Sequence, residues 1–400
     1  MGTGAWQGPG ADVWSAAIVL LGLPGHVSWL LWAGNLLHST AWPHRRIKKI
    51  AYVINCLIFF GSAAAGGWAI ARLCELANVG PSSPPLLLYF AVCSANTLLG
   101  TLPWLVRRLT VRPPAVLVAE RKRTVDLRAA AAEGCEALAY GRLWTSIPGN
   151  ESLCVQLHEK RLALPRLPAA LAGLRIVHLS DLHMTGRIGR RYFEEAFELV
   201  NAENPDLVLL TGDLLEREAC WSWVPQTFGR LRARRGAYFV FGNHDIRIDH
   251  RRTRAELEGV GLIDVGERPA QVNIDGVDVL LAGNSWPWIG PPCEPSAAAP
   301  RVVERSFRVL LAHSPDQIRW ARRRDFDLML AGHVHGGQIQ IPPLGPILAP
   351  SRYGVRYACG VFHEPPTVLH VSRGLSGKLP LRFFCPPEVS TLVLEPAANL

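Results

Sequence analysis

The sequence contains no cysteine pair with the spacing of a zinc site or a redox motif. Its nine cysteines are an odd number and are scattered along the chain, which is untypical of a disulfide framework. We therefore expect buried, reduced thiols in a reducing compartment. Charged residues are also scarce, at 19% against 49% apolar residues. This imbalance is typical of a chain with some segments in lipid and the rest globular.

Lysine and arginine are absent before Arg45. Because a cleaved signal peptide begins with a positively charged segment, we do not expect one here. Charged residues are also absent from three long apolar stretches, which are Val13–Leu37, Ile50–Ile70 and Leu86–Val106. Each is long enough to cross a bilayer, although a Pro-Gly-His sequence interrupts the first. A buried core helix is the alternative, but core helices rarely run so far without a charge.

Basic residues flank these stretches unevenly. Four lie between the first and second stretches, namely Arg45, Arg46, Lys48 and Lys49, and more follow Arg107, whereas the loop Leu76–Pro85 has none. The positive-inside rule then predicts a multi-pass protein of the cell membrane, with its N-terminus outside and everything after Arg107 in the cytoplasm. These residues also explain much of the net charge of +9, so we expect no nucleic-acid partner.

Near Leu174 the sequence changes to short apolar runs, each followed by a cluster of polar residues. We predict an all-α transmembrane region of about three helices over residues 1–110, a connecting region over 111–172 and a globular domain over 173–395. Short apolar runs in the domain predict strands at Leu174–Leu179, Leu207–Leu210, Tyr238–Phe241, Val277–Leu281, Val309–Leu311 and Leu328–Leu330. Apolar residues recur at helical spacing over Arg190–Ala202. Strands alternating with a helix predict an α/β sheet with ligand groups at strand ends.

Five of these predicted strands are followed directly by residues of the same kinds. The clusters are Ser180-Asp181-Leu182-His183, Thr211-Gly212-Asp213, Gly242-Asn243-His244-Asp245, Ala312-His313 and Gly332-His333-Val334-His335. Any one alone is typical of a surface loop or a turn, but five in one order are hard to obtain from turns. Carboxylate oxygen with imidazole nitrogen suits Mn²⁺, Fe or Zn²⁺ better than Ca²⁺ or Mg²⁺. No cluster holds a cysteine, which argues against a structural zinc site.

The series DLH, GD, GNHD, H and GHVHGGQ resembles the signature of the calcineurin-like metallophosphoesterases. The tail segments PSRYGVRYACG, VSRGLSGKLPLRF and CPPEV resemble C-terminal blocks of the bacterial membrane-associated branch of that superfamily. The resemblance covers roughly Leu174 to Leu394. It implies a four-layer α/β/β/α sandwich, here preceded by the all-α transmembrane region, and a metal-dependent phosphoric ester hydrolase.

The same resemblance implies a dinuclear metal centre with two divalent ions, Mn, Fe or Zn. The first ion would be held by Asp181, His183, Asp213 and His335, and the second by Asp213, Asn243, His313 and His333. Asp213 would bridge the two, and a hydroxide shared by the metals would attack phosphorus in line. His244 would protonate the leaving group, with Asp245 or another acid orienting its ring. A structural role beside the ligands is the alternative for His244.

Other residues leave the interpretation open. Family members commonly continue the second motif as GDxxD, whereas here Glu216 takes the last position, which puts the loop geometry in doubt. Gln338 follows two glycines and is a candidate contact to a ligand. Four arginines of the tail, Arg352, Arg356, Arg373 and Arg382, are candidates for gripping phosphate, although structural roles are more common. The aromatic run Asn284-Ser285-Trp286-Pro287-Trp288 could form a substrate wall or a loop that rests on the membrane, and packing is the alternative to both.

Three function hypotheses from different classes follow. The leading one is a membrane-anchored hydrolase of phosphomonoester, phosphodiester or pyrophosphate bonds. A lipid-linked substrate is one version of this hypothesis, because the spans would hold the active site near the bilayer. A nuclease is the second, against which stands the absence of a legible aromatic stacking platform. The third is a non-catalytic membrane scaffold whose metal site only stabilises the fold, against which stands the full ligand set.

Overall fold

The computed structural model describes residues 10–42, 44–74, 83–132, 139–294 and 306–397. The chain divides into two compact units, Met1–Arg112 and Pro113–Leu400.

The first unit is helical in its described residues. Its helices are α1 (Gly10–His38), α2 (His44–Cys56), α3 (Ser62–Leu73), α4 (Pro84–Asn96) and α5 (Leu102–Thr110). One wider, π-type turn joins α2 to α3 at Leu57–Gly61, and another joins α4 to α5 at Thr97–Thr101. Three continuous helices result that are long and apolar enough to cross a membrane, Val13–His38, Arg45–Leu73 and Pro84–Thr110. They contain the three predicted stretches. Most of the predicted outer loop, Leu76–Pro85, lies outside the described residues.

A side chain of the continuous helix Pro84–Thr110 forms hydrogen bonds with the backbone of α1 beside Pro24. Pro24 lies inside α1 and has no N–H to donate to the helix. The hydroxyl of Thr97 accepts the N–H of Gly25 at 2.8 Å and donates to the carbonyl of Leu21 at 2.7 Å. A β-carbon on Gly25 would lie 2.0 Å from the carbonyl oxygen of Cys93. Glycine is therefore what lets the two helices approach closely enough for this exchange.

The second unit is built on two large sheets. Its strands are β1 (Leu117–Asp126), β2 (Cys154–Leu164), β3 (Arg175–Leu179), β4 (Leu207–Thr211), β5 (Ala237–Val240), β6 (Leu262–Asp264), β7 (Ala270–Ile274), β8 (Val277–Asn284), β9 (Ser306–Ala312), β10 (Leu328–Ala331), β11 (Gln340–Ile341), β12 (Gly345–Pro346), β13 (Gly360–Glu364), β14 (Thr367–Val371) and β15 (Glu388–Pro396). Its helices are α6 (Arg128–Ala132), α7 (Ala139–Thr145), α8 (Arg190–Ala202), α9 (His250–Gly259) and α10 (Ile318–Arg323).

The sheets have defined strand orders. The larger has the order β1-β2-β15-β3-β4-β5-β6, and the smaller has the order β13-β14-β10-β9-β8-β7. Neighbours β3, β4, β5 and β6 are parallel, as are β14, β10, β9 and β8. Strands β11 and β12 form a separate hairpin. Parallel strands bring their carboxyl ends to the same edge of a sheet, which is where ligands bind in α/β folds.

Three hydrophobic clusters stack the second unit into layers. The middle one joins facing residues of both sheets, such as Leu209 of β4 and Val309 of β9. Helix α8 covers the outer face of the larger sheet with Phe193 and Phe197, each worth about 1.5–3 kcal/mol when fully buried. Helix α10 covers the outer face of the smaller sheet. The arrangement is helix, sheet, sheet, helix, which confirms the predicted four-layer fold.

The region predicted as a connection, residues 111–172, is corrected by the structure. It supplies β1 and β2, which extend the larger sheet, so the second unit begins at Pro113 rather than near residue 173. Strand β1 has no apolar alternation because it is an edge strand, paired only with β2 and exposed along most of its length. Charged side chains on an edge strand prevent pairing with other chains. Such a strand carries no periodic signal in its sequence.

Candidate metal centre

The five motif clusters meet at one edge of the sandwich. Those after β3, β4 and β5 leave the carboxyl ends of the larger sheet, and those after β9 and β10 leave the smaller one. All of the metal ligands suggested by the sequence are brought together there, and their atoms form two groups that share Asp213.

The first group contains Asp181, His183, Asp213 and His335. One ligand atom from each lies within 4.8 Å of the others. His183 Nε2 is 3.5 Å from Asp213 Oδ2 and 3.0 Å from His335 Nε2. His335 Nε2 is in turn 3.3 Å from Asp181 Oδ1. Asp181 and Asp213 are almost fully buried, so their charges need compensation inside the protein.

The second group contains Asp213, Asn243, His313 and His333. His313 Nε2 is 2.9 Å from Asn243 Oδ1, 3.4 Å from Asp213 Oδ2 and 3.2 Å from His333 Nδ1. These four residues come from β4, β5, β9 and β10, so the second group spans the gap between the two sheets.

The donor chemistry of the second group fits a cation. His313 Nδ1 lies 2.7 Å from the carbonyl oxygen of Thr211, which only accepts hydrogen bonds. In a neutral His313 the single ring proton therefore sits on Nδ1. The lone pair of Nε2 then faces two further acceptors, Asn243 Oδ1 and Asp213 Oδ2. Burial acts to lower the pKa of His313, but the carboxylates of Asp213 and Asp181 outweigh it and raise that pKa to about 9. The surroundings thus favour positive charge at this place, which a divalent metal ion supplies.

The backbone at the site adopts conformations that side chains rarely occupy. Five of the seven candidate ligands have positive φ angles, namely Asp181 (52°), His183 (43°), Asp213 (54°), His333 (71°) and His335 (51°). Left-handed residues other than glycine cost free energy and cluster at functional sites. Two glycines let the loops approach: a β-carbon on Gly242 would lie 2.2 Å from Asp213 Oδ1, and one on Gly332 would lie 1.8 Å from Ser180 Oγ.

Glu216 connects a candidate ligand to the candidate proton donor. Its carboxylate accepts the Nδ1–H of His183 and lies 2.7 Å from His244 Nδ1. Arg247 pairs with the other oxygen of Glu216 at 2.8 Å. Burial acts to raise the pKa of Glu216, but contacts with His183 and His244 outweigh it and hold that pKa well below its usual range. With Nδ1 of His183 donating, its Nε2 presents a lone pair to the metal position.

Asp245 has a different role from the predicted one. Its carboxylate accepts backbone N–H groups of Asp213 (2.8 Å), Leu214 (2.8 Å), Leu215 (3.1 Å) and Gly242 (2.7 Å). Burial, and next the charge of Asp213, raise the pKa of Asp245 to about 7. Asp245 therefore holds two ligand loops together, and the acid beside the His244 ring is Glu216. The position of Glu216 in the GDxxD pattern was the signal that could have identified it.

Burial has the main effect on the titration of His244. It lowers the pKa of His244, while the charge of Asp213 and the contact with Glu216 act in the opposite sense. The backbone N–H of His244 donates to Asp213 Oδ1 at 2.8 Å. His244 is therefore fixed to the carboxylate shared by both ligand groups, and its ring is held by Glu216.

Residues 174–337 match the family model described as calcineurin-like phosphoesterase. This domain belongs to that family. The family uses divalent metal ions, and the first ligand group has the side chains and spacing for one.

Curated relatives of the phosphoesterase domain include named hydrolases. Phosphodiesterase YaeI of Escherichia coli is 29% identical over 67% of this chain and 97% of its own. A transmembrane protein with metallophosphoesterase domain from Danio rerio is 27% identical over 59% of this chain and 56% of its own. UDP-2,3-diacylglucosamine pyrophosphatase LpxG of Chlamydia muridarum is 24% identical over 56% of this chain and 85% of its own. The phosphoesterase domain is accordingly a phosphoric ester hydrolase.

The tail arginines of the phosphoesterase domain have internal partners. Arg373 pairs with Glu388 at 2.8 Å, and Arg382 donates to the carbonyl of Arg373 at 2.7 Å; both are buried. Arg356 pairs with Glu364 at 2.7 Å, and Arg352 lies 3.8 Å from Asp316. Apart from Arg382 Nη1, which donates to the carbonyl of the candidate ligand His335 at 3.5 Å, these arginines make structural contacts within the domain rather than contacts with the candidate ligands.

Two further residues of open role are placed by the structure. The amide of Gln338 donates to the carbonyls of Leu379 (3.0 Å) and Leu381 (3.3 Å), which ties two loops of the phosphoesterase domain together. Trp288 packs its ring against the candidate ligands His333 and His313, with centroids 4.9 and 5.6 Å apart. One of the two tryptophans of the aromatic run therefore forms a wall beside these two candidate ligands.

Proposed function

We propose that this chain is a membrane-anchored phosphoesterase that uses two divalent metal ions. Asp181, His183, Asp213 and His335 would hold one ion, and Asp213, Asn243, His313 and His333 the other. The observation that carries the proposal is the convergence of two acceptor-rich groups on one shared carboxylate, Asp213. An anionic bridge is what two neighbouring cations require.

The metals, when bound, supply Lewis-acid activation of water and offset charge on the phosphoryl oxygens. The protein's own residues have three tasks. His183 keeps its lone pair on Nε2 because its Nδ1–H donates a hydrogen bond to Glu216. Asp245 fixes the backbone that carries Asp213. His244 protonates the leaving alkoxide, steadied by Glu216, as a general acid must be positioned before it transfers a proton.

The mixed donor set favours Mn²⁺, Fe or Zn²⁺ as the native ions. Four imidazole nitrogens and three oxygen ligands would share the two ions, and hard Ca²⁺ and Mg²⁺ prefer oxygen alone. Manganese is the ion we would supply first in an assay.

The substrate we propose is a lipid-linked phosphodiester or pyrophosphate. Support comes from the three apolar helices and from two relatives, one named a phosphodiesterase and one a pyrophosphatase of a diacylated nucleotide sugar. Covalent attachment to membrane spans raises the effective concentration of the domain toward lipids. The basic residues around the spans favour a cytoplasmic domain, so a protease added outside sealed cells should leave the domain intact.

A panel of phosphoesters tests the proposal. The full chain, purified with Mn²⁺, would be assayed on bis-p-nitrophenyl phosphate, p-nitrophenyl phosphate and phospholipid-type diesters. We expect the wild-type chain to hydrolyse a diester. A chelator should abolish this activity, and the Asp213→Asn variant should lack it. The matched control is Asp275→Asn, because Asp275 is an exposed aspartate with positive φ in the turn between β7 and β8. If none of these substrates is hydrolysed in a metal-dependent way, the proposal is refuted.

A further inference from the structure

The hairpin that follows the last candidate ligands carries its apolar side chains outward. Ile339 and Ile341 are 47% and 50% exposed, whereas Gln340 between them is turned inward and donates to the carbonyl of Gly336 at 3.0 Å. Successive side chains of an extended segment alternate between two faces. A surface strand normally buries its apolar face, so the alternation here is inverted.

Two neighbouring side chains extend this apolar surface. Leu348, just beyond strand β12 of the same hairpin, is 50% exposed, and Phe384 is 64% exposed. The backbone joins the segments, because Gln340 N–H donates to the carbonyl of Phe383 at 3.0 Å. We call Ile339, Ile341, Leu348 and Phe384 the apolar rim. From Gly336 to Ser351 the sequence has no charged residue, so nothing in the hairpin repels an apolar partner.

Phe384 also has a strained backbone. Its φ is 52°, a left-handed conformation that is an outlier for a bulky aromatic residue. Burial of the ring does not offset that cost, because the ring is mostly exposed. Strain of this kind persists where surrounding structure enforces it and points to a functional role for the residue. Holding an aromatic ring in solvent at this position is what the strain accomplishes.

The apolar rim is directly connected to the metal centre. Gln338 lies in the segment that leads from His335 into the hairpin, and a β-carbon on Gly377 would lie 2.8 Å from Gln338 Nε2 and 3.3 Å from His335 Nδ1. Gly337 packs in the same way against Pro346 and the carbonyl of Leu348. The hairpin is therefore joined by a short, closely packed segment to the candidate ligand His335.

We infer that the apolar rim binds the hydrocarbon part of a lipid phosphoester whose phosphate lies at the metal centre. The inference rests on the proposed function and adds where the lipid chain lies. Exposed apolar surface of this kind marks a binding site, and the spans of the same chain keep lipids within reach. Contact with hydrocarbon would remove the rim from water, which is favourable in proportion to the area covered.

Two soluble diesters that differ only in chain length test the inference. The full chain in nanodiscs would hydrolyse p-nitrophenyl decyl phosphate and p-nitrophenyl methyl phosphate, both below the micelle concentration of the first. We expect wild-type kcat/KM to be at least about 10-fold higher for the decyl ester. The double variant Ile341→Ser, Phe384→Gly should lose most of that ratio through KM, with the methyl ester unchanged. Glycine at 384 relieves the strain, so misfolding is not the expected result.

Ile263→Ser is the matched control, because Ile263 is 45% exposed on β6, at the opposite edge of the larger sheet from β1. It should leave both esters unaffected. Equal kcat/KM for the two esters in the wild type, or an equal loss in the control, would overturn the inference while leaving the phosphoesterase intact. A double variant that changes oligomeric state with an unchanged ester ratio would assign the rim to a second copy of the chain and also overturn it. Turnover of neither ester would instead contradict the proposed function.

Discussion

At the scale of single residues, Glu216 is the side chain that connects the candidate ligand His183 with the candidate proton donor His244. Its carboxylate contacts the rings of His183 and His244, and Arg247 holds it in place. A carboxylate in this position fixes the tautomer of one ring and the orientation of the other.

Glu216→Gln should lower metal affinity or kcat/KM by about 10- to 100-fold. The reason is that the side-chain amide has one oxygen that accepts hydrogen bonds, where the carboxylate has two. Glu218→Gln, at an exposed acid two residues along the chain, is the control and should behave as wild type. Metal titration of the purified variants would detect the change. Equal affinities and rates for Glu216→Gln and wild type would show that Glu216 has no role in positioning.

His244→Ala should separate proton transfer from metal binding. We expect full metal content and a loss of about 10²- to 10⁴-fold in kcat for an alkyl leaving group, which needs a proton. The loss should be much smaller for p-nitrophenolate, a leaving group that departs without one. Parallel measurement of both substrates checks this, and loss of metal together with the fold would favour a structural site instead.

Some residues of the candidate site were predictable from the sequence, and others were not. The seven candidate ligands were identifiable because each follows a strand in a family pattern. The acid beside His244 was predicted to be its neighbour Asp245 or another acid, since adjacency along the chain is all that a sequence shows. Asp245 instead accepts backbone N–H groups of other loops. These hydrogen bonds of Asp245 depend on the left-handed turn at Asp213. A single sequence does not specify such a backbone angle.

At the scale of elements, the strand ends are brought together by glycines that leave no room for a side chain. A β-carbon at Gly332 would overlap Ser180 Oγ at 1.8 Å and Asp181 Oδ2 at 2.3 Å. The loop after β10 in the smaller sheet therefore rests directly on the loop after β3 in the larger sheet.

Gly332→Ala should push these loops apart, at a cost of about 1–3 kcal/mol in the free energy of unfolding and with loss of the metal held between them. Gly259→Ala is the matched control, because a β-carbon there meets no atom within 4 Å. Thermal unfolding with and without metal would compare the two. Wild-type metal affinity in Gly332→Ala would contradict this account of how the sheets meet.

A second element-scale feature is a set of charges buried between the sheets. Lys160 of β2 and Arg373 both pair with Glu388 of β15, and all three are buried. Burial acts to raise the pKa of Glu388, but Lys160 and Arg373 outweigh it and hold that pKa well below its ordinary value. Because the folded pKa is depressed, the stabilisation is present above the unfolded value of about 4.3 and is lost as the pH falls below it.

Glu388→Ala should destabilise the domain by about 3–5 kcal/mol at pH 7, since it leaves two buried cations without their shared partner. The difference from wild type should shrink in acid, because the unfolded carboxylate takes up a proton near pH 4.3 whereas the folded one does so only at lower pH. Urea unfolding at pH 7 and at about pH 3 would measure both effects, with Glu395→Ala at a half-exposed acid of the same strand as control. A difference in unfolding free energy that stays constant with pH would contradict a depressed pKa for Glu388.

Elements also differed in how well sequence predicted them. Helix α8 has the predicted bounds, Arg190–Ala202, because one apolar face packs on a sheet and imposes helical spacing. Strand β15 was not predicted, although it lies inside the larger sheet between β2 and β3. Its partners lie more than two hundred residues away along the chain, and periodicity along one segment does not identify partners so distant.

At the scale of the whole molecule, the chain joins a helical unit with three apolar helices to a phosphoesterase domain. The three apolar helices were predictable because a bilayer sets a minimum length and excludes charge. The helical unit was predicted to end at residue 110 and ends at Arg112. That β1 and β2 belong to the domain was not predicted, since these strands are exposed or mixed in composition. The proposed lipid-linked substrate belongs to this scale too, because the proposal combines the candidate site, the apolar rim and the three apolar helices.

The central claim is that two metal ions share Asp213, and the metal content of the purified full chain tests it most directly. After loading with Mn²⁺ and removal of free ions, we expect about two metal ions per wild-type chain. Asp213→Ala should retain fewer than about one and remain folded by circular dichroism. A folded wild-type chain without bound metal, or an Asp213→Ala variant with the wild-type metal content, would contradict the account.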